Sequence, residues 1–183
     1  MNGSLTLIGG NGRMGLMFRR AWEDVAPIFS VDPRTDRRGT LRLRARDIEE
    51  RVPQSALVLL CVPAPAVREV MEALAPHLAP GQILADICSV KVQPMRWMEE
   101  RFPGPVVGTH PMFGPENERK DARVALVRGA RATDEHAETL AALFRRMGCK
   151  PFATTAEAHD RACATSQSLH FILNAAYFAT AAR

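Results

Sequence analysis

This sequence of 183 residues lacks the features that would assign it to several common classes of protein. Its four cysteines, Cys61, Cys88, Cys149 and Cys163, are widely spaced and form no C-x-x-C pair, which argues against a disulfide scaffold and a zinc site. No block of basic residues alternates with aromatics, so the net charge of +4 favours an anionic metabolite or cofactor over nucleic acid. No charged-then-apolar leader opens the chain. These absences predict a cytoplasmic protein without a metal site.

Apolar runs and helical patterns alternate along the chain, which indicates a mostly parallel sheet with helices on both faces. The continuous apolar run from Ala56 to Val62 is typical of a strand that is buried on both sides. Other predicted strands are 5–8, 27–31, 83–88, 105–109, 123–127 and 151–153. We therefore predict an α/β fold, a Rossmann-type doubly wound sheet followed by a long C-terminal helix.

The first strand runs into a glycine-rich turn that leads to a helix. Gly10, Gly12 and Gly15 fill the three glycine positions of G-x-G-x-x-G, which permit a tight turn, close approach of the backbone to phosphate, and close helix packing. Backbone N–H groups and the positive end of the helix dipole then face a pyrophosphate. The residues predicted to bind a dinucleotide here are Gly10, Gly12, Arg13, Met14 and Gly15.

Asp32 ends the second predicted strand, at about the 20-residue distance expected for a ribose-binding acid. A carboxylate there accepts hydrogen bonds from the ribose hydroxyls and repels a 2′-phosphate, which favours NAD over NADP. Arg34, Arg37 and Arg38 follow, and such a basic cluster either holds a 2′-phosphate or is a solvated loop. We adopt the solvated loop and predict NAD.

Four segments are expected at the carboxyl ends of the parallel strands, where open α/β sheets bind ligands: the glycine turn, Val62-Pro63, 89–91 and 109–111. The proline after His110 restricts its backbone to an extended conformation, and a neutral imidazole accepts a proton at physiological pH. His110 is thus a general base or a hydrogen-bonded structural group. Ser89 either orients His110 and touches the substrate, or caps the next helix.

The last helix, predicted over Thr155 to Ala182 with a capping box at Thr154 and Glu157, is long and poor in charge after Arg161. Its polar residues make a membrane span costly, so we expect it to pack within protein. One face of this helix carries a semi-polar stripe, which lines either a cleft or the contact with a neighbouring helix. The stripe consists of His159, Cys163, Ser166, His170, Asn174 and Tyr177. An apolar terminal helix needs cover, so we expect a truncated chain, a homodimer through this helix, or a helix folded back on its own domain.

Four segments, taken in order, resemble the prephenate dehydrogenase family of tyrosine biosynthesis. They are the glycine turn 9–15, the I-C-S-V-K run 87–91, the G-T-H-P-M-F-G-P-E run 108–116 and the E-A-H-D run 157–160. The resemblance covers nearly the whole chain. It implies an NAD-binding Rossmann domain at 1–153, followed at 154–183 by the first helix of a helical dimerisation and substrate domain.

The resemblance implies NAD-dependent oxidative decarboxylation of prephenate to 4-hydroxyphenylpyruvate. By position in the motifs, His110 accepts the proton of the ring hydroxyl, and Ser89 hydrogen-bonds near that hydroxyl and His110. Pro115 and Glu116 belong at the entrance of the substrate pocket. Arogenate or 4-amino-4-deoxyprephenate as the substrate, and NAD binding without turnover, stay open.

Two departures from the family pattern accompany this resemblance. No residue here matches the arginine that the family directs at a substrate carboxylate. His170 stands one place earlier than the histidine of the family's Q-x-L-x-H pattern, a turn of about 100° around a helix. His170 is kept as a candidate substrate-binding residue.

Overall fold

The computed structural model describes residues 3–32, 34–35 and 41–181. Its strands are β1 Ser4–Ile8, β2 Ile28–Val31, β3 Arg34–Thr35, β4 Leu41–Arg42, β5 Ser55–Leu60, β6 Ile83–Asp86, β7 Val106–Pro111, β8 Arg123–Arg128 and β9 Lys150–Thr154. Its α-helices are α1 Arg13–Trp22, α2 Ala45–Arg51, α3 Val67–Leu74, α4 Val92–Arg101, α5 Asp134–Arg146 and α6 Ala156–Ala181. Short 3-10 turns follow α2, precede α3 and follow it.

Seven strands form one sheet in the order β2-β1-β5-β6-β7-β8-β9, and β3 pairs with β4 in a separate hairpin. Neighbouring strands in the part of the sheet ordered β2-β1-β5-β6-β7 pair in parallel. β8 runs antiparallel to β7, and β9 runs parallel to β8. The chain moves from β1 to β2 on one side and later crosses to β5 on the other. The strand order therefore reverses at β1, and ligands of such sheets bind beside that point.

The predicted doubly wound sheet is confirmed by helices on both of its faces. Side chains alternate across β5, so Leu57 and Leu59 join a core with α1 and α5, while Val58 and Leu60 join a second core with α2, α3 and α4. In the first core, the ring of Trp22 stacks on that of Phe18, with 4.7 Å between the ring centroids. Its indole N–H donates a hydrogen bond to the carbonyl oxygen of Leu143 in α5, at 3.1 Å.

The start of α6 differs from the predicted capping box. Thr155, rather than Thr154, accepts a hydrogen bond from the N–H of Ala158, at 3.1 Å. The reason is that β9 extends to Thr154 and keeps that residue in the sheet. The helix therefore begins directly behind the last strand, at the edge where the candidate site lies.

Among the described side chains of α6, those that pack against the rest of the chain lie in its first turns. His159 is 3% exposed, whereas the later apolar side chains are 57–73% exposed: Leu169, Phe171, Ile172, Leu173, Tyr177 and Phe178. Of the three expected ways to cover this helix, folding back on its own domain is therefore wrong, because its later apolar side chains lie away from the sheet. Its packing within protein stays a prediction. None of the helices that the structure describes combines the length and hydrophobicity of a membrane span.

Candidate active site at the carboxyl edge of the sheet

The glycine turn after β1 is closely packed against its own backbone and against the neighbouring strands. A Cβ on Gly10 would lie 2.2 Å from the hydroxyl of Ser30, and a Cβ on Gly15 would lie 2.5 Å from the carbonyl oxygen of Gly9. Gly9 has φ +86°, and a Cβ there would lie 2.6 Å from the carbonyl oxygen of Cys61. Gly9 was not among the predicted binding residues, although the Gly9-Gly10 pair was a visible signal of a turn that needs positive φ.

The N-terminus of α1 offers a suitable site for a pyrophosphate. Its N-cap residue is Gly12, which has no side chain to cap the helix. The N–H of Leu16 makes a helical hydrogen bond to Gly12, at 2.8 Å. The backbone of Arg13, Met14 and Gly15 forms the first turn, where N–H groups and the helix dipole favour an anion. The residues present therefore fit the phosphates of a dinucleotide.

Asp32 lies directly after β2, beside the glycine turn. Its carboxylate accepts hydrogen bonds from the backbone N–H of Asn11, at 2.8 Å, and from the side-chain amide of Asn11, at 2.6 Å. Arg19 in turn donates to the amide oxygen of Asn11 at 2.9 Å. The sequence had placed Asp32 here but had given no role to Asn11. Arg37 and Arg38 lie outside the described residues, as does the side chain of Arg34.

Val62 and Pro63 follow β5, the neighbour of β1 on the other side of the crevice. Val62 is 8% exposed, and its side chain would lie 3.2 Å from a Cβ on Gly9. Pro63 is exposed and begins the short 3-10 turn before α3. Val62 thus borders the glycine turn, and contact of Val62 and Pro63 with a cofactor stays a prediction.

His110 lies near the end of β7 and is half-buried. Its Nδ1 is 2.9 Å from Nε2 of His159, and Nδ1 of His159 is 2.7 Å from Oδ1 of Asp160. Burial, together with the neighbouring His159 and Lys91, lowers the pKa of His110 to about 4. Its imidazole is therefore neutral at physiological pH and can accept a proton.

Asp160 joins α6 to the start of α4. Oδ1 accepts a hydrogen bond from the N–H of Lys91 at 2.7 Å, and Oδ2 accepts one from the N–H of Val92 at 2.9 Å. Partial burial acts to raise the pKa of Asp160, but hydrogen bonds from Val92, His159 and Lys91 outweigh it and lower that pKa. Asp160 is therefore an ionised cap at the positive end of the α4 dipole.

Ser89 does not cap α4, because the cap comes from Asp160 and the N-cap residue is Lys91. The side chain of Ser89 is exposed in the bend between β6 and α4. Among the described residues, no hydrogen bond joins its hydroxyl to His110, so a role in orienting His110 or the substrate stays a prediction.

A buried ion pair lies beneath the site. Nζ of Lys91 donates to the two carboxylate oxygens of Asp86, at 2.7 and 2.6 Å, and to the carbonyl oxygen of Thr109, at 2.6 Å. The side chains of Lys91 and Asp86 are both 0% exposed. A Cβ on Gly108 would lie 2.6 Å from Sδ of Met95 and 3.3 Å from the Lys91 chain, so this glycine makes room for both side chains. The pair ties β6, α4 and β7 together directly before His110.

The segment after β7 approaches the start of α1. Glu116 and Arg13 form an exposed ion pair at 3.6 Å, beside a groove of about 310 Å³ that Pro115 and Arg119 also line. The place of Pro115 and Glu116 at a pocket entrance, and their binding of substrate, stay predictions. His170 is exposed and lies about 16 Å along α6 from His159. Of the predicted stripe, His159 and Cys163 lie beside His110. Ser166 and Asn174 donate to backbone carbonyls of their own helix.

Two further features are alternative candidate sites. Among the described residues, His110, His159 and Cys163 each offer a ligand atom, and these atoms lie within 4.8 Å of one another, close enough to hold a metal ion. The absence of a metal site stays a prediction. A larger open groove, of about 1200 Å³, runs along α4, α5 and β9 and includes neither His110 nor the glycine turn.

His159, Asp160, Asp86 and Lys91 are the site residues that sequence reasoning missed. His159 was on the semi-polar stripe and, with Asp160, in the E-A-H-D segment, and Lys91 was in a segment expected at the ligand-binding edge, but none had been named as a catalytic or binding residue. An acidic residue at the end of the apolar run 83–88 was the available signal for a buried partner. Nothing local to His159 indicated that it meets a histidine 49 residues away.

The chain is similar to several known proteins. A family model described as prephenate dehydrogenase, nucleotide-binding domain, matches residues 30–145. The chain is 30% identical over 168 residues to the T-protein of Haemophilus influenzae, covering 91% of this chain and 42% of that protein. It is 29% identical over 184 residues to the cyclohexadienyl dehydrogenase of Zymomonas mobilis, covering 90% and 62%. It is 30% identical over 181 residues to the 4-amino-4-deoxyprephenate dehydrogenase of Streptomyces pristinaespiralis, covering 91% and 59%.

The chain therefore spans between 42% and 62% of the length of these curated relatives. Solved structures show the same fold. Prephenate dehydrogenase from Aquifex aeolicus, in complex with hydroxyphenyl propionate and NAD+, aligns with a TM-score of 0.73 at 17% identity, over 89% of this chain and 63% of that chain. Arogenate dehydrogenase from Synechocystis aligns with a TM-score of 0.73 at 20% identity, over 88% and 63%.

Proposed function

The chain belongs to the prephenate dehydrogenase family, and on that premise we propose that it catalyses NAD-dependent oxidative decarboxylation of prephenate to 4-hydroxyphenylpyruvate in tyrosine biosynthesis. The observation that carries the proposal is a neutral histidine, His110, at the same edge of the sheet as a glycine turn suited to a pyrophosphate. We propose that 1–153 is the NAD-binding domain and 154–183 the first helix of a second, helical domain. A cytoplasmic location is part of the proposal.

NAD would lie with its pyrophosphate at the first turn of α1 and its adenosine ribose toward Asp32. The carboxylate of Asp32 supports NAD over NADP, because a 2′-phosphate would meet a negative charge. Asn11 holds that carboxylate at the turn through two hydrogen bonds. When bound, the nicotinamide supplies an acceptor for hydride.

His110 would accept the proton of the ring 4-hydroxyl as hydride leaves the same carbon. Loss of the ring carboxylate as carbon dioxide then gives an aromatic product, which drives the reaction forward. A general base of this kind contributes about 10²- to 10⁴-fold to the rate. Ser89, in the bend one strand away, would hydrogen-bond near the substrate hydroxyl, and Pro115 and Glu116 would border the entrance. His170 would take part in substrate binding only in an assembly that brings α6 over the site.

A related cyclohexadienyl substrate is the second candidate. The relatives at 27–30% identity carry the names of prephenate, arogenate and 4-amino-4-deoxyprephenate enzymes, which supports each of these substrates. Compared with prephenate, 4-amino-4-deoxyprephenate has an amine in place of the ring hydroxyl, and arogenate has an amine in place of the side-chain ketone. Neither change would remove the need for a base at His110. Rates with the three substrates under the same conditions would identify the preferred one.

The partner that we propose for α6 is a second copy of this chain. Its six exposed apolar side chains form a surface that a homodimer would cover. Replacing Phe171 and Phe178 by glutamate is expected to reduce self-association, measured by sedimentation, without changing NAD affinity. An unchanged oligomeric state in that double variant would exclude this interface.

His110→Asn tests the catalytic proposal. We expect NAD affinity within about twofold of the parent, measured by titration calorimetry, and loss of NADH formation by about 10²-fold or more. Loss of NAD binding would instead assign His110 a cofactor or structural role. If the parent chain binds NAD and forms no NADH with any of the three substrates, the chain binds NAD without turnover.

A further inference from the structure

We propose that Asp160 and His159 are positioning residues that hold His110 in one tautomer, with its proton on Nδ1 and the lone pair of Nε2 available as the base. The inference deepens the proposed function and rests on it only for the statement that His110 is the base. The hydrogen-bond order that it predicts belongs to the chain itself, with or without substrate.

The direction of the hydrogen bonds is determined first at Asp160. Its carboxylate already accepts from the backbone N–H groups of Lys91 and Val92, and a carboxylate in its ionised form only accepts. The contact of 2.7 Å between Oδ1 and Nδ1 of His159 therefore requires the proton to be on that nitrogen. Asp160 thus determines the tautomer of His159.

The next step follows from the chemistry of imidazole. A neutral histidine carries one N–H, so with Nδ1 protonated the Nε2 of His159 is an acceptor. Its two described neighbours are both suited to donate: Nδ1 of His110 at 2.9 Å and the thiol of Cys163 at 3.6 Å. Partial burial and the nearby Asp160 raise the pKa of Cys163, so the thiol keeps its proton.

The last step concerns His110. Because Nδ1 of His110 donates to His159, its own Nε2 is unprotonated. Beside these rings lie Lys91 and Asp86, which neutralise each other in the buried pair below. The competing state is a doubly protonated His159, which would donate to Nδ1 of His110, put the His110 proton on Nε2 and remove the base.

The test is a measurement of the imidazole nitrogens in the full chain labelled with ¹⁵N, at pH 8 and with a chelator to remove metal ions. Peaks of His110 and His159 are assigned from their loss in His110→Asn and His159→Gln. We expect both rings to be singly protonated, each on Nδ1. Protonation of His110 on Nε2, or of His159 on both nitrogens, would overturn the inference. No cofactor or turnover is needed, so this result is independent of whether the proposed reaction occurs.

Asp160→Ala distinguishes positioning from helix capping. If Asp160 positions His159, the variant should show His110 as a mixture of tautomers; if Asp160 only caps α4, the tautomer stays as in the parent and the inference fails. His159→Gln offers a carbonyl oxygen near the position of the lost Nε2, so it should preserve the His110 tautomer better than His159→Leu. His77→Gln, in the 3-10 turn after α3, is the matched control and should leave the His110 signals unchanged.

Where the chain or its assembly turns over, the same variants separate kcat from KM. Replacing His159 by leucine should lower kcat by about 10-fold or more, since a reactive imidazole in the wrong tautomer is a poor base, and should leave KM for NAD within about twofold. His159→Gln should recover part of that loss. Equal kcat values in the two variants would count against the tautomer as the cause.

Discussion

Replacing Lys91 by methionine should destabilise the chain strongly, because it leaves a carboxylate buried without its cation. The ammonium group of Lys91 makes three contacts of 2.6–2.7 Å, two to Asp86 and one to the carbonyl of Thr109. In the variant, the Asp86 carboxylate keeps a hydrogen bond from the N–H of Cys88, at 3.0 Å. Breaking a buried pair from one side costs about 3–5 kcal/mol.

That loss is a large share of the total free energy of unfolding of a domain, which is about 5–15 kcal/mol. In a chain of this size it corresponds to a fall in Tm of about 6–20 °C. Urea unfolding followed by tryptophan fluorescence, from the buried Trp22 and the partly buried Trp97, measures it directly. Lys150→Met is the matched control, since Lys150 pairs with Asp121 at 2.9 Å with both side chains more than 60% exposed, and it should cost under about 1 kcal/mol.

The double variant Asp86→Asn with Lys91→Met removes the buried charge as well as its partner. It should be more stable than Lys91→Met alone by about 1–3 kcal/mol, because a neutral amide costs less to bury than an unpaired carboxylate. A loss of less than about 1 kcal/mol in Lys91→Met, or a double variant no more stable than the single one, would refute the reasoning.

Three other measurements follow from the geometry. Asp160→Ala should cost about 0.5–2 kcal/mol through loss of the α4 cap, measured by thermal unfolding at neutral pH, whereas Glu157→Ala in the exposed first turn of α6 should cost less. The pKa of His110 is about 4 in the folded chain, against an ordinary 6.5. As the pH falls, the unfolded chain therefore binds a proton at this imidazole before the folded chain does, and the free energy of unfolding decreases between pH 6.5 and pH 4. For a half-buried ring the loss is about 1–2 kcal/mol, and His110→Asn should remove that part of the pH slope. Gly15→Ala should weaken NAD binding and cost about 1–3 kcal/mol, because its Cβ would lie 2.5 Å from the carbonyl of Gly9; Gly81→Ala, where a Cβ meets open space, should be nearly neutral.

The parts of the fold and site that could be predicted have local signals. The glycine turn, Asp32 and His110 each follow an apolar strand directly, and parallel pairing brings the ends of such strands to one edge. That is why the sequence located the turn, the acid and the histidine at the same edge of the sheet. A boundary such as that at Thr154 was missed by one residue, since pairing of β9 with β8 extends the strand by an amount that propensity does not encode.

The missed parts depend on contacts between distant segments. His159 meets His110 across 49 residues and Asp160 meets Lys91 across 69, and neither contact has a periodic or compositional signature. The buried Lys91 reads in sequence as a surface residue, because its partner Asp86 and the space beside Gly108 become visible only in three dimensions. Exposure of the later turns of α6 also depends on the direction of its axis, which amphipathicity could not give.

The attachment of α6 has a mechanical consequence. Its first turn is held at His159 and Asp160, while the remaining turns extend about 32 Å from Asp160 to Ala181. A rigid rod fixed at one end acts as a lever, so a tilt of about 5° moves its far end by about 3 Å over this length. The attachment also contains the hydrogen bonds from Asp160 through His159 to His110. A protein that binds the outer turns of α6 would therefore change the orientation of His159 relative to His110.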